Sequence, residues 1–242
     1  GGGTQAQFTA TDDFVATIGN TAQYIITSVD TGATSTGAAT LTLTGNSAFA
    51  LNGVTASSGD LTVDGSAATG TVTITGTDWT GGSTITGGSA ADTLAGGSGV
   101  DSITGGAGAD SLTGNAGNDK LFGGDGADTL VAGAGSDSIT GGAGNDTITM
   151  STNYTTGDTI DGGAGTDTLS ATLATTIAAS ISAVETYNVT FNTGGALNAS
   201  SITGVSTMNV LAGTATLATI TNLMSGVTVA NGTTAAEAET IT

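Results

Sequence analysis

The sequence predicts an all-β chain built as a parallel solenoid, and three observations carry that expectation. Seven aspartates recur every nine residues, Asp92, Asp101, Asp110, Asp119, Asp128, Asp137 and Asp146, each followed two positions later by Leu or Ile. Elsewhere aliphatic and aromatic residues alternate with polar ones, mostly Thr, as in Leu41 and Leu43, Leu61 and Val63, Val72 and Ile74, Val189 and Phe191, Val227 and Val229. Alternation at period two marks a half-buried strand, and Thr suits its outer face. No segment sustains a helical period. The chain has no Pro, so its breaks fall on Gly, Asn and Asp, which tolerate the backbone of tight turns. Its 42 glycines would suit disorder, but disordered chains lack this supply of aliphatic residues.

Residues 1–75 carry short strands without a firm repeat. A β-sandwich and more solenoid are both open there, with the sandwich preferred, and residues 1–80 form an N-terminal β region. From Gly87 the nonapeptides read GGSAADTLA, GGSGVDSIT, GGAGADSLT, GNAGNDKLF, GGDGADTLV, AGAGSDSIT and GGAGNDTIT, with GGAGTDTLS over Gly162 to Ser170. Positions one to six hold too much Gly for strand and enough for a tight turn. Positions seven to nine make a short strand with one buried aliphatic, Leu94, Ile103, Leu112, Leu121, Leu130, Ile139 or Ile148. Two nonapeptides make an eighteen-residue coil, and stacked coils sit about 4.8 Å apart. Asp137 to Asp158 and Asp146 to Asp167 are both twenty-one apart, so a three-residue insertion near Ser151 to Tyr154 preserves the stacking. This roll spans residues 81–170. In residues 171–242 the segment Ile181 to Val189 aligns with Ile202 to Val210 at a spacing of twenty-one, and Ile220 to Val229 repeats it at about nineteen. Those coils are expected to hold by an apolar core.

Stacking would place the aspartates in two ladders, Asp92, Asp110, Asp128 and Asp146 on one, Asp101, Asp119 and Asp137 on the other. Carboxylates about 5 Å apart repel by roughly 3 kcal/mol at an effective dielectric near 20. One aliphatic per nonapeptide contributes about 1.5 to 3 kcal/mol, so the roll is expected to be unstable without a cation between its rungs. Carboxylates and backbone carbonyls without His or Cys favour calcium over zinc or copper. The formal charge of −19, with Lys120 the single basic side chain, points the same way. It excludes nucleic acid and anionic membranes as partners, since both need Lys and Arg. No apolar run reaches the length of a membrane span. Gly1-Gly2-Gly3 shows neither Met nor a signal peptide, so the chain is expected to be processed or part of something longer.

Residues 87 to 170 resemble the RTX family of bacterial secreted proteins, whose GGxGxDxUx repeat folds as a calcium-filled parallel β-roll. In that family a calcium lies between turns two repeats apart. The resemblance implies that it takes the Asp and the carbonyls of positions two and four from the first turn, and the Asp and the carbonyls of positions one and three from the second. Carried over, the first site is Gly88, Ala90 and Asp92 with Gly105, Ala107 and Asp110, and the next is Gly97, Gly99 and Asp101 with Gly114, Ala116 and Asp119. Gly106, Gly108 and Asp110 then meet Gly123, Asp125 and Asp128, while Asn115, Gly117 and Asp119 meet Ala132, Ala134 and Asp137. Gly124, Gly126 and Asp128 join Gly141, Ala143 and Asp146, and Asp167 joins Gly142, Gly144, Gly162 and Ala164. Ala90, Asn115 and Ala132 depart from Gly and require the turn to hold a Cβ. Asp158, after NYTTG, is a weak candidate.

The remaining features read as structural. Glu185 is expected on a strand surface, Trp79 over the first coil of the solenoid rather than stacked on a sugar, and Asp60, Asp64 and Asp161 in turns. Without His, Cys or Arg there is no Ser-His-Asp triad, zinc protease site or arginine clamp, and only a glycosidase-type carboxylate pair survives, so no enzyme is expected. The composition and the repeat together resemble bacterial RTX surface-layer proteins. A secreted or cell-surface structural protein binding several Ca2+ ions and assembling with itself is the expectation, with an RTX adhesin module binding a cell-surface glycan as the alternative.

Overall fold

In a computed structural model the described residues are 4–9, 14–20, 24–30, 39–46, 48–52, 59–75, 79–151, 154–178, 180–192, 196–211, 219–231 and 240–241. Every pairing between the described strands is parallel, and no strand pairs with its neighbour in sequence. The chain therefore winds as a solenoid. Alternate strands fall into a 12-stranded sheet, running from Thr4–Thr9 to Thr228–Asn231, and a 9-stranded sheet, running from Phe14–Asn20 to Ser180–Ser182. Their inner faces enclose one continuous apolar core.

The repeat region behaves as its register requires. Leu112 pairs with Leu94 and Leu130 in one sheet, Ile103 with Ile85 and Leu121 in the other, and each is buried. One expectation fails. The strands are not confined to three residues, because Ser102–Ala107 and its counterparts run through positions one to three of the next repeat, with Gly106 paired to Gly124 and Ala107 to Asp125. The turn proper occupies positions four to six. Glycine does not end the strand here because the stacked coil above pairs with its backbone, and a Cβ on Gly106 or Gly124 would strike the carbonyl of the coil below.

The insertion expected near Ser151 to Tyr154 preserves the stacking, with Ser138 paired to Thr159 and Thr147 to Thr168. Residues 152–153 lie outside the described residues.

The N-terminal strands are solenoid and not a sandwich. Thr4–Thr9, Tyr24–Asp30, Phe49–Asn52 and Val72–Thr75 extend the 12-stranded sheet, while Phe14–Asn20, Ala39–Gly45 and Leu61–Ala68 extend the other. Among the described residues, parallel pairing leaves no antiparallel hairpins from which a sandwich is built.

After Leu173 the coil gains a third side, a 4-stranded sheet of Thr176–Ala178, Ala196–Asn198, Thr219–Thr221 and Thr240–Ile241. Ile181 bridges to Ile202 and Val189 pairs with Val210, as the alignment predicts. The third copy sits differently from the spacing of about nineteen: Met208 pairs with Val229, keeping the interval of twenty-one, and Ile220 belongs to the new sheet, opposite Leu197. The interposed strand displaced the alignment. Trp79 is fully buried within the core rather than exposed for a sugar. Asp64 and Asp161 lie on strands, not turns, pointing outward, and Ser66 donates to Asp64 from both N–H and Oγ.

Candidate metal centre

The two ladders form along the two edges of the roll where the sheets meet. Each aspartate of the repeats is buried, with the chain around it fixed by its own side chain. Oδ1 accepts the N–H of the aspartate one coil earlier: Asp92 N–H donates to Asp110 at 2.7 Å, Asp110 to Asp128 at 2.8 Å and Asp128 to Asp146 at 2.8 Å. The second edge repeats this from Asp101 to Asp119 at 2.8 Å and from Asp119 to Asp137 at 2.9 Å. Both ladders cross the insertion intact, since Asp137 N–H reaches Asp158 at 2.6 Å and Asp146 N–H reaches Asp167 at 2.8 Å.

The other carboxylate oxygen separates the rungs. Oδ2 of Asp92 and Asp101 accepts N–H from Gly88 at 2.6 Å and from Gly97 at 2.9 Å. Oδ2 of Asp110, Asp119, Asp128, Asp137, Asp146 and Asp167 is buried and has no partner. An ionised oxygen buried without a donor is strongly unfavourable. Burial is the first cause pushing these carboxyls above the ordinary carboxylate range, and Asp110 and Asp119 reach about 6, with neighbouring rungs adding repulsion. Mutual repulsion alone would have been the expectation; desolvation outweighs it.

The turns then supply the remaining oxygens. Gly106 and Gly108, Gly124 and Gly126, Gly142 and Gly144 all take positive φ at positions two and four, and Asn115 takes the second position at φ 75°. Asn is among the few side chains that tolerate that region, and its Nδ2 donates to the Gly96 carbonyl at 2.7 Å. The position-two and position-four carbonyls of Gly106 and Gly108 face Gly124 and Gly126 of the next coil. Facing back, the Gly123 carbonyl and Asp110 Oδ2 both border the side of Gly105 where a Cβ would stand, and the Asp125 carbonyl accepts Gly108 N–H at 2.7 Å. Asp110 Oδ2 and the Gly123 carbonyl thus share the open side of Gly105, while the Gly106 and Gly108 carbonyls face the turn of the next coil. Gly114 and Gly141 show the same arrangement, with Asp119 Oδ2 beside the Ala132 carbonyl and Asp146 Oδ2 beside the Gly162 carbonyl.

The first turns differ. Gly88, Ala90, Gly97 and Gly99 do not adopt positive φ, and their aspartates have both oxygens hydrogen-bonded, so the inner turns from Gly105 onward fit a cation better than the two N-terminal ones. Ala132 carries its Cβ where the other turns leave a position-one glycine open. Asp158 takes its ladder place, yet its Oδ2 accepts Thr155 N–H at 2.6 Å. Glu185, read from sequence as a surface carboxylate, extends the first ladder by accepting Asp167 N–H at 2.7 Å. The signal was its position eighteen residues after Asp167, the interval that separates Asp92 from Asp110.

No three His, Cys, Asp or Glu side chains gather at one point among the described residues. A cation here would be held by one or two carboxylates and several carbonyls, the oxygen-rich set that suits calcium and not zinc. This arrangement defines a class: a parallel solenoid whose turns are calcium-type oxygen cradles. Residues 86–121, 122–149 and 156–172 match the RTX calcium-binding nonapeptide repeat (4 copies), so this stretch is an RTX β-roll carrying calcium-binding repeats. No curated protein and no solved structure matches the chain significantly.

Proposed function

We propose that this chain is a secreted, calcium-binding structural protein, a subunit or domain of a bacterial surface layer or extracellular filament that assembles with itself when calcium is present. The observation that carries the reading is the outer face of the 12-stranded sheet. Thr73, Thr93, Ser111, Thr129, Thr147, Thr168, Thr186, Thr207 and Thr228 stand in one register column. Beside it runs a second column, Thr75, Ala95, Thr113, Val131, Thr149, Ser170, Asn188, Asn209 and Ala230, and neither contains a charge. In a chain of charge −19, such a face is where two copies meet with the least repulsion, and bound calcium lowers the repulsion elsewhere. The outer face of the other sheet is interrupted by Lys120, Phe122, Asp64 and Asp161.

Thr4–Thr9 and Thr228–Asn231 each pair on one side only among the described strands. Among the described residues no helix is long and apolar enough to cross a membrane. Glu237 and Glu239, the charges near the C-terminal end, lie outside the described residues. The family-implied calcium sets from Gly105 onward are proposed as the sites, each ion sharing ladder aspartates with the next.

Sedimentation at micromolar concentration tests the reading. The wild-type chain is expected to form large species in millimolar calcium and to disperse in chelator, and Thr147→Lys, which places a charge on the outer column, is expected to reduce assembly. A chain that stays monomeric in calcium contradicts it and favours an adhesin module using the same hydroxyl face on a glycan.

A further inference from the structure

The aspartate ladder does not stop where the nonapeptides stop. Asp167 is fully buried, its Oδ1 holds Asp146 N–H, and its Oδ2 has no partner. The coil above it is built differently. Strand Thr159–Ala164 pairs with Ser180–Ser182, and strand Thr168–Leu173 pairs with Thr186–Phe191, so Asp161 aligns with Ser182 and Thr168 with Thr186. Six residues, Gly162 to Asp167, therefore stack against only three, Ala183, Val184 and Glu185. The turn has lost half its length but kept its two ends.

Those ends reproduce the chemistry of a longer turn. Ala183 stands where a position-one glycine stands in the repeats, with φ 48°. Its carbonyl and Asp167 Oδ2 both border the open side of Gly162, as the Gly123 carbonyl and Asp110 Oδ2 border Gly105. Glu185 stands where the aspartate stands, and its Oε2 accepts Asp167 N–H at 2.7 Å. One added methylene lets a carboxylate on a shortened turn reach the inward position, while Val184 between them turns into the core. One coil later Ser206 takes the corresponding place, donating N–H and Oγ to the Glu185 carbonyl, and among the described residues no carboxylate follows.

We propose that Asp167, the Ala183 carbonyl and Glu185 form a calcium site at the junction between the repeat roll and the apolar coils, closing the first ladder with a glutamate from outside the nonapeptides. The inference rests on the reading of the repeats as calcium sites and adds a site that the repeat pattern does not contain. With the position-three oxygen missing from the shortened turn, water completes the shell, and fewer protein oxygens mean weaker binding. The junction ion is the first lost as calcium falls, and its loss uncouples the end of the roll from strand Thr186–Phe191.

Calcium stoichiometry of the full chain by calorimetry is the test, comparing wild type with Glu185→Gln, Glu185→Ala and the remote Asp64→Asn. Gln keeps an acceptor for Asp167 N–H, so the backbone contact survives. Both Glu185 variants are expected to bind one ion fewer per chain than wild type, and Asp64→Asn the same number. Unchanged stoichiometry in both Glu185 variants overturns this site while leaving the repeat sites standing. Loss of more than one ion in Glu185→Gln also overturns it, because the residue would then hold the ladder together and not one ion. A wild-type chain that binds no calcium overturns the junction site and the repeat reading together.

Discussion

Strand Ser111–Ala116 buries one aliphatic side chain, Leu112, beside Gly114, and is flanked by a buried aspartate at each edge. Thr186–Phe191, farther along the same sheet, buries Tyr187, Val189 and Phe191, and the rung above it has Ser206 in place of a ladder carboxylate. Both strands have the same parallel pairing and both face one continuous core. At about 1.5 to 3 kcal/mol for each fully buried side chain, a C-terminal rung gains several times what a repeat rung gains. The difference shows that strand pairing alone does not make a coil stable: one region completes its interior with hydrocarbon, the other leaves oxygens that require a cation.

Truncating the core in each region separates the two supports most strongly. Phe191→Ala is expected to destabilise the C-terminal coils by about 3 to 5 kcal/mol, with no recovery on raising calcium. Leu112→Ala is expected to lose about 2 to 5 kcal/mol, with recovery as calcium rises, because an ion bound only by the folded roll stabilises it by mass action. Thermal unfolding of both variants across a calcium series checks this; equal calcium rescue would erase the distinction.

Asp119→Ala sharpens the comparison within the roll. Its carboxylate belongs to two of the family-implied sets, one of them a proposed site, so the calcium midpoint for folding should rise by about tenfold to a hundredfold, the loss seen even for groups that only orient a metal ligand. Exposed Asp60→Ala should leave the midpoint unchanged. Circular dichroism during calcium titration reads both, and matching shifts would mean the ladder is misassigned.

Protons provide a smaller effect of opposite direction in the two metal states. Because burial raises Asp110 and Asp119 to about 6, the metal-free folded roll binds protons more tightly than the unfolded chain. Its stability is therefore greatest in acid and is lost as pH rises from the ordinary carboxylate range, about 4, through about 6. Calcium competes with those protons, so the calcium midpoint should climb as pH falls below about 6. Chelator-treated protein that gains no order between pH 7 and pH 4 contradicts this.

The nonapeptide register was legible because eighteen-residue coils admit no variation: each aspartate, each aliphatic and the positive-φ glycines recur at fixed intervals, and the structure stacks them accordingly. The N-terminal coils were not legible for the same physical reason inverted. Tyr24 pairs with Phe49, Phe49 with Val72, and Thr73 with Thr93, so successive coils differ in length and no period survives. Burial of Leu41, Leu43, Val72 and Ile74 followed from alternation, but alternation does not tell a sandwich from a solenoid. Glu185 was hidden by its residue type, since its own turn had shortened and the pattern GGxGxD had gone, leaving only the interval of eighteen. The pairing of Gly106 with Gly124 inside strands was likewise invisible, because glycine propensity favours turns and only the stacked neighbour overrides it.

Amide hydrogen exchange on the full chain, with and without calcium, tests most directly whether one fold is held in two ways. The account predicts that removing calcium abolishes protection in Ser102–Ala107, Ser111–Ala116, Lys120–Asp125, Thr129–Ala134 and Ser138–Ala143. Thr186–Phe191 and Thr207–Leu211 should stay protected. Uniform protection in both conditions, or uniform loss across all of these strands, would contradict it.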